Sequence, residues 1–178
     1  MTGHHTLSET ERAVATHLRG LGIDLTAQAA VSNLYRAANA IRSHVSKTVL
    51  READLTWTSF VVLWVVWMWD GIETRHAAAE AAISKATLTG VVRTMERRGL
   101  LRRSGDPDDR RLVRLSLTDT GRQLMVELFP RFNAEESYIV SRLSRNRLAE
   151  LTEGLRTIVE HLETAPGGKS ADGAGPTA

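Results

Sequence analysis

The stretch Ser84-Lys85-Ala86-Thr87-Leu88-Thr89-Gly90-Val91-Val92-Arg93-Thr94-Met95-Glu96-Arg97-Arg98-Gly99-Leu100 decides how this chain is read. Ser84 is a natural N-cap, because its side-chain oxygen can accept from the unpaired amides of a first helical turn. Behind it Leu88, Val91, Val92 and Met95 recur at i, i+3, i+4 and i+7, the one-sided stripe of a helix packed on a core. Gly99 stops that helix at the C′ position, where a left-handed residue closes the last turn. The opposite face carries Lys85, Ala86, Thr89, Gly90, Arg93 and Arg97. Small and hydroxyl residues first, then arginines one turn apart, suit a helix that enters a major groove N-terminus first. There Lys85 and Arg93 can donate to guanine edges, and Thr89 can offer thymine a hydroxyl or methyl contact. The helix N-terminus, with the hydroxyls of Ser84 and Thr87, can hold a phosphate. Gly90 costs up to about 1 kcal/mol relative to Ala in a helix interior, which points to a close approach to DNA or to a neighbouring helix. The alternative is an ordinary solvated amphipathic helix.

Downstream the period falls from 3.6 to 2. Leu100–Ser104 reads as one strand, and Val113, Leu115 and Leu117 alternate with Arg114 and Ser116 in another. Gly105-Asp106-Pro107-Asp108-Asp109-Arg110 between them is dense in turn residues. Its aspartates could serve a divalent cation, but the later Glu of an EF-hand loop is missing and the adjoining Arg110 and Arg111 would repel a metal. A wing is the better reading: its arginine enters a minor groove, held extended by a bidentate Asp neighbour. A plain polar turn is the remaining alternative. Upstream, Thr74–Glu80 is a short alanine-rich helix leading into a turn through Ala81-Ala82-Ile83. Two helices joined by a tight turn and followed at once by a hairpin make a winged helix–turn–helix. The expected class is therefore mainly α with a small β-hairpin (α+β): a winged lobe plus long helices forming a dimerisation region.

Those long helices lie on either side. From Thr26 onward Val31, Leu34, Ala38, Ile41, Val45 and Val49 recur at helical steps over roughly six turns. Thr56 or Asp54 opens a second helix, Trp57–Trp69, apolar on every side and ended by Gly71. Such a helix belongs in a core or under another subunit. Thr118 caps a long helix containing Pro130, with a kink expected near Phe129. Ser144 caps the last one, striped by Leu148, Leu151, Leu155, Ile158 and Leu162. At the N-terminus Ser8-Glu9-Thr10-Glu11 has the form of a capping box. It predicts a short helix carrying Val14, Leu18 and Leu21 and ending at Gly20 or Gly22. The expected organisation is an extension over 1–25, a main domain over 26–163, and a disordered Gly/Ala/Pro/Ser-rich tail over 164–178. Within the main domain, dimerisation helices occupy about 26–52 and 119–163 and the DNA-binding lobe about 54–118. The flanking helices carry more apolar surface than one small lobe can cover, and homodimerisation would cover it.

Composition narrows the function classes. The 178 residues include no cysteine, which excludes disulfides, thiolate metal sites and thiol redox switches. Ser84–Leu115 holds nine basic and four acidic residues, a local +5, while the rest of the chain carries 14 basic against 17 acidic, or −3. A basic block on a neutral to acidic body is the footprint of a polyanion partner, here double-stranded DNA. Phe60–Trp69 is about half the ~20 residues needed to cross a bilayer, and the first residues lack a signal pattern. The expectation is a cytoplasmic protein with no membrane partner. The six histidines show no HxxxH or HxH spacing, so no metal site is assigned, and no cofactor is called for. No nucleophile–base set or carboxylate cluster free of arginines supports an enzyme. His44, Trp57, Trp64 and Trp67, with Trp69, are candidates for an aromatic ligand pocket, though aromatics at helical spacing are more often plain core. A ligand-independent architectural DNA binder shares the same basic block.

Leu55-Thr56-Trp57-Thr58 through Leu117-Thr118 resembles the MarR family (multiple antibiotic resistance regulators). The resemblance rests on Ile83-Ser84-Lys85-Ala86-Thr87-Leu88-Thr89, Glu96-Arg97-Arg98-Gly99-Leu100, and Asp106-Pro107-Asp108-Asp109-Arg110-Arg111 leading into Leu115-Ser116-Leu117-Thr118. It implies a homodimer with interleaved first and last helices, and two lobes reading a pseudo-palindrome. It places Arg110 of the D-x-R wing motif in the minor groove with Asp108 as its partner. It further implies repression of a promoter, with release by a small aromatic or phenolic effector bound between the dimer helices and the lobe. Three departures stand out. Ala81-Ala82 replaces a turn in which many relatives carry Gly, which predicts a helical turn there. Gly90 replaces a larger polar side chain, so base specificity does not carry over. The N-terminal helix is like that of the urate-responsive branch, but Trp57-Thr58 replaces that branch's Trp-Asp.

Overall fold

The computed structural model describes residues 5–105, 109 and 112–165. Eleven elements follow in chain order: α1 (Leu7–His17), α2 (Leu25–Lys47), α3 (Val49–Glu52), α4 (Trp57–Met68), β1 (Ile72–Glu73), α5 (Thr74–Glu80), α6 (Lys85–Arg97), β2 (Leu101–Gly105), β3 (Val113–Leu117), α7 (Asp119–Val140) and α8 (Arg145–Thr164). The chain divides into two compact units at Asn133, inside α7.

The first unit holds the core. Leu50, Leu63, Val65 and Val66 from α3 and α4 are buried, as are Leu88, Val92 and Met95 from α6, Leu115 and Leu117 from β3, and Met125, Leu128 and Phe132 from α7. Phe60 stacks on Phe132 at 4.3 Å and Trp67 meets Phe129 edge-on at 5.6 Å, joining α4 to α7 through aromatic contacts. The three strands are antiparallel in the order β1-β3-β2, with Ile72 opposite Leu115 and Leu101 opposite Leu117. The hairpin foreseen from the alternation is therefore the outer part of a three-stranded sheet. β1 has two residues, too few to show any period.

Several boundaries differ from the sequence reading. The capping box of α1 is built on Thr6, not Ser8. The Thr6 hydroxyl accepts from the Glu9 amide at 3.2 Å, and the Glu9 carboxylate accepts from the Thr6 amide at 2.7 Å. The bond from the Thr6 amide, and after it a bond that the Thr6 hydroxyl donates to the same carboxylate at 2.8 Å, hold the Glu9 carboxyl below its ordinary pKa. The helix ends at His17, because Gly20 and Gly22 take left-handed conformations and turn the chain away; Leu18 and Leu21 fall outside it. α2 starts one residue before Thr26, on an Asp24 cap that accepts from Thr26 and Ala27. It stops at Thr48 (φ −96°, ψ −105°), so Val49 begins the separate short helix α3.

α4 is apolar all round, but only one side is core: Trp64 is 38% exposed, and Met68 and Trp69 are exposed as well. α7 runs through Pro130 as one helix; proline removes the amide that would bond the Val126 carbonyl. Ala82 corrects the helical turn expected there. Its φ is +50°, with its amide bonded to Ala79 and that of Ile83 to Ala78. This is a Schellman stop with alanine where glycine is usual.

The second unit comprises the end of α7 and α8, capped by Ser144. No residue of α8 is buried, and Leu151, Ile158 and Leu162 of its predicted stripe are exposed. Among the described residues, no helix is long and apolar enough to cross a membrane.

Candidate nucleic-acid interface

α6 is held in place from behind and from both ends. Leu88, Val92 and Met95 are buried and Val91 is half-buried, as the stripe requires. At its start the Ser84 hydroxyl accepts from the Thr87 amide at 3.0 Å and pairs with the Thr87 hydroxyl at 2.8 Å. At its end Gly99 (φ +67°) and Leu100 return amide bonds to Glu96 and Met95. Ser84, Lys85, Ala86, Thr87, Thr89, Gly90, Arg93 and Arg97 are all exposed; Lys85, Ala86, Thr89, Gly90, Arg93 and Arg97 lie on the face away from the buried stripe, while Ser84 and Thr87 stand at the N-terminal turn. Arg97 donates to the Thr94 hydroxyl at 3.3 Å, and Thr89 donates to the Lys85 carbonyl at 2.9 Å, leaving its oxygen free to accept. Arg93 makes no ion pair with any described residue and presents its full charge outward. Among the described residues, a Cβ at Gly90 would meet nothing within 4 Å, so none of them requires the glycine.

Next to α6, a cleft of about 240 Å³ between α5, α6 and the sheet is lined by Arg75, Lys85 and Arg103 over Leu88 and Val92. Arg75 is paired with Glu73 at 2.8 Å and Arg103 with Glu96 at 3.2 Å, so carboxylates fix two of these cations in direction. In the wing, β2 and β3 pair from Leu101↔Leu117 to Gly105↔Val113. The predicted wing residues Asp108, Arg110 and Arg111 lie outside the described residues.

The aromatic candidates are not arranged alike. Trp57 tilts against Phe60 at 6.2 Å and Trp67 is engaged by Phe129. Trp64 faces outward, and His44 is half-buried in the last turn of α2, where its carbonyl accepts the Thr48 hydroxyl. Trp57, Val61, Trp64 and Met68 form an i, i+4, i+7, i+11 stripe on the side of α4 away from the core, with Trp67 off it. Among the described residues, no three His, Asp or Glu side chains converge as a metal site would require. Sequence reasoning passed over Arg98, which reaches across 44 residues to Asp54; no local pattern carries such a contact.

A basic exposed helix seated in a helix–turn–helix, backed by a three-stranded wing sheet, defines a winged helix–turn–helix DNA-binding protein. Residues 55–113 match the family model for the MarR family. The chain is 34% identical over 164 residues to the HTH-type transcriptional regulator YwaE of Bacillus subtilis, covering 90% of this chain and 96% of that one. Among solved structures it is similar to BpsR of Bordetella bronchiseptica (27% identity, TM-score 0.67, 73% of this chain and 98% of that one), whose DNA binding is regulated by 6-hydroxynicotinic acid. It is also similar to AbsC, a MarR family regulator of Streptomyces coelicolor (25% identity, TM-score 0.71, 80% and 97%). The chain belongs to the MarR family of DNA-binding transcriptional regulators, and its relatives are regulators rather than enzymes.

Proposed function

We propose that this regulator is a repressor that binds a pseudo-palindromic promoter site as a homodimer and acts in the cytoplasm. The observation that carries the proposal is the exposed face of α6, where Lys85, Ala86, Thr89, Gly90, Arg93 and Arg97 share one side of a helix anchored by Leu88, Val92 and Met95, with the exposed Ser84 and Thr87 at its N-terminal turn. In this reading Ser84, Lys85, Ala86, Thr87, Thr89, Gly90, Arg93 and Arg97 enter the major groove. The open space over Gly90 lets the helix approach base edges closely. Asp108, Arg110 and Arg111 form the wing, with Arg110 in the minor groove. Exposed apolar residues on α2 (Val31, Leu34) and on α8 (Leu151, Ile158, Val159, Leu162) support dimerisation through about 26–52 and 119–163.

We further propose release by a small aromatic or phenolic effector. The outward stripe of Trp57, Trp64 and Met68 supports it, as does the regulation of the similar BpsR by a hydroxylated aromatic acid. The test is selection of bound duplexes from genomic fragments, with and without 6-hydroxynicotinic acid and simple phenols. One inverted repeat should be enriched, bound on the order of 10³-fold more tightly than random duplex, and lost with one of the aromatics. Equal binding to random duplex would replace the proposal with an architectural role.

A further inference from the structure

Three helices of the first unit stop in the same way, and two of the stops are in contact. α3 ends in a Schellman motif: Asp54 has φ +52°, its amide bonds to Arg51, and that of Leu55 bonds to Leu50 at 2.9 Å. Such an ending leaves the carbonyls of the cap residue and the next residue without helical partners. They are Ala53 and Asp54, and both accept from Arg98, the cap residue of α6, at 3.2 Å and 2.5 Å. The Asp54 carboxylate adds a longer ionic contact at 3.7 Å. One guanidinium thus joins the C-terminus of the DNA-facing helix to the C-terminus of α3.

α3 is itself fixed on both sides. Val49 and Leu50 are buried, and Glu52 forms an ion pair with Arg131 of α7. Thr48 separates α3 from α2. The short helix is therefore an elbow between the long helices and the lobe, and Arg98 is the polar link from that elbow to α6.

We propose that Arg98 is a positioning residue for DNA recognition, fixing the pitch of α6 against α3 so that its face meets base edges in register. This rests on the reading of α6 as the groove-entering helix. A guanidinium serves where an ammonium does not, since its planar fork spans two adjacent carbonyls.

The test compares Arg98→Met, which keeps the aliphatic stem and removes every donor, with Arg98→Lys, which keeps the charge and can reach one carbonyl. Affinity is measured on a selected operator and on a scrambled duplex of equal length, with thermal melts to establish folding. Arg98→Met should lose about tenfold or more on the operator and less than about threefold on the scrambled duplex, with an unchanged salt slope, because Arg98 neutralises no phosphate. Arg98→Lys should recover part of the loss. A second measurement needs no DNA. The chain has no cysteine, so Ala86→Cys with Arg51→Cys places one spin-label pair across α6 and α3, diluted into unlabelled protein. The Arg98→Met background should broaden that distance distribution, and Arg98→Lys should do so less. The proposal is overturned by an unchanged distribution, by unchanged operator affinity, or by parallel loss on both duplexes with a shallower salt slope. If Arg93→Ala leaves base preference intact, the reading of α6 fails, and the label distances alone still decide whether Arg98 sets its pose.

Discussion

Gly121 lies directly against the carbonyl of Leu100: a Cβ built on it would stand 2.0 Å from that oxygen and 2.9 Å from its carbon. The contact joins the first turn of α7 to the residue that ends the α6 stop. Thr118 completes the joint. Its amide donates to the Leu100 carbonyl at 3.1 Å, and its hydroxyl donates to the Gly99 carbonyl while accepting from the Gly121 amide. The obstacle is backbone, so a side chain at 121 can be housed only by moving α7 or the α6–β2 connection.

Gly121→Ala should therefore destabilise the chain by about 2 kcal/mol or more, toward the upper end for overpacked cores. Urea unfolding monitored by circular dichroism measures it. A loss below about 0.5 kcal/mol, the scale of ordinary surface changes, would show that the joint yields freely.

Ala82→Gly should act in the opposite direction. Alanine at φ +50° carries a penalty that glycine escapes, and the gain should be about 0.5–1 kcal/mol after glycine's greater unfolded-state freedom is subtracted. A midpoint equal to or below that of the parent would contradict the left-handed turn.

Arg93 and Arg110 should separate by phenotype. Arg93→Ala should relax preference at one base position by about 1–3 kcal/mol, read from selected-site profiles. Arg110→Ala should weaken every site alike and reduce the salt slope by about one counterion. Unaltered profiles or an unaltered slope would remove the corresponding residue from the interface.

Truncation after Leu143 removes the α8 stripe, of which Leu151, Ile158 and Leu162 are exposed within one chain. Sedimentation should then show monomer. A stable dimer would place the self-contact elsewhere.

Acidification should fray α1 first. The Glu9 carboxyl sits below its ordinary value of 4.5 because it accepts from Thr6. Its contribution is present above that value and is lost as pH falls through the lowered one. Protection of the Glu9 and Thr10 amides, measured as exchange relative to the intrinsic rate at each pH, should fall in that range; protection that does not change with pH would remove the role of the box.

Much of this fold was legible because its signals are local. Ser84, the Leu88–Met95 stripe and Gly99 marked α6 to within a residue, and Thr74–Glu80 was delimited in full. The misreadings came from choices among neighbouring signals of the same kind. Thr6 and Ser8 both stand three residues before a Glu, and hydrogen bonding selects the earlier. Ala82 has no composition that announces a left-handed residue; the tight return to Ser84 imposes it. The site's exposed face followed from periodicity alone. Arg98, Gly121 and the pairing of Arg103 with Glu96 are products of tertiary approach, and nothing at those positions differs from an ordinary charged or small surface residue.

The pairing of Ile72 with Leu115 has a consequence for variation in this chain. Because neighbouring strand residues point to opposite sides, inserting one residue between Gly71 and Ile72 would offset the seam and exchange the facing of Ile72 and Glu73 against a leucine that is fully enclosed. Length changes beyond Gly105, at the far end of the ribbon, disturb no such seam. Natural or engineered diversity in loop size should accordingly accumulate at the outer tip, while the short splice ahead of α5 stays invariant in length.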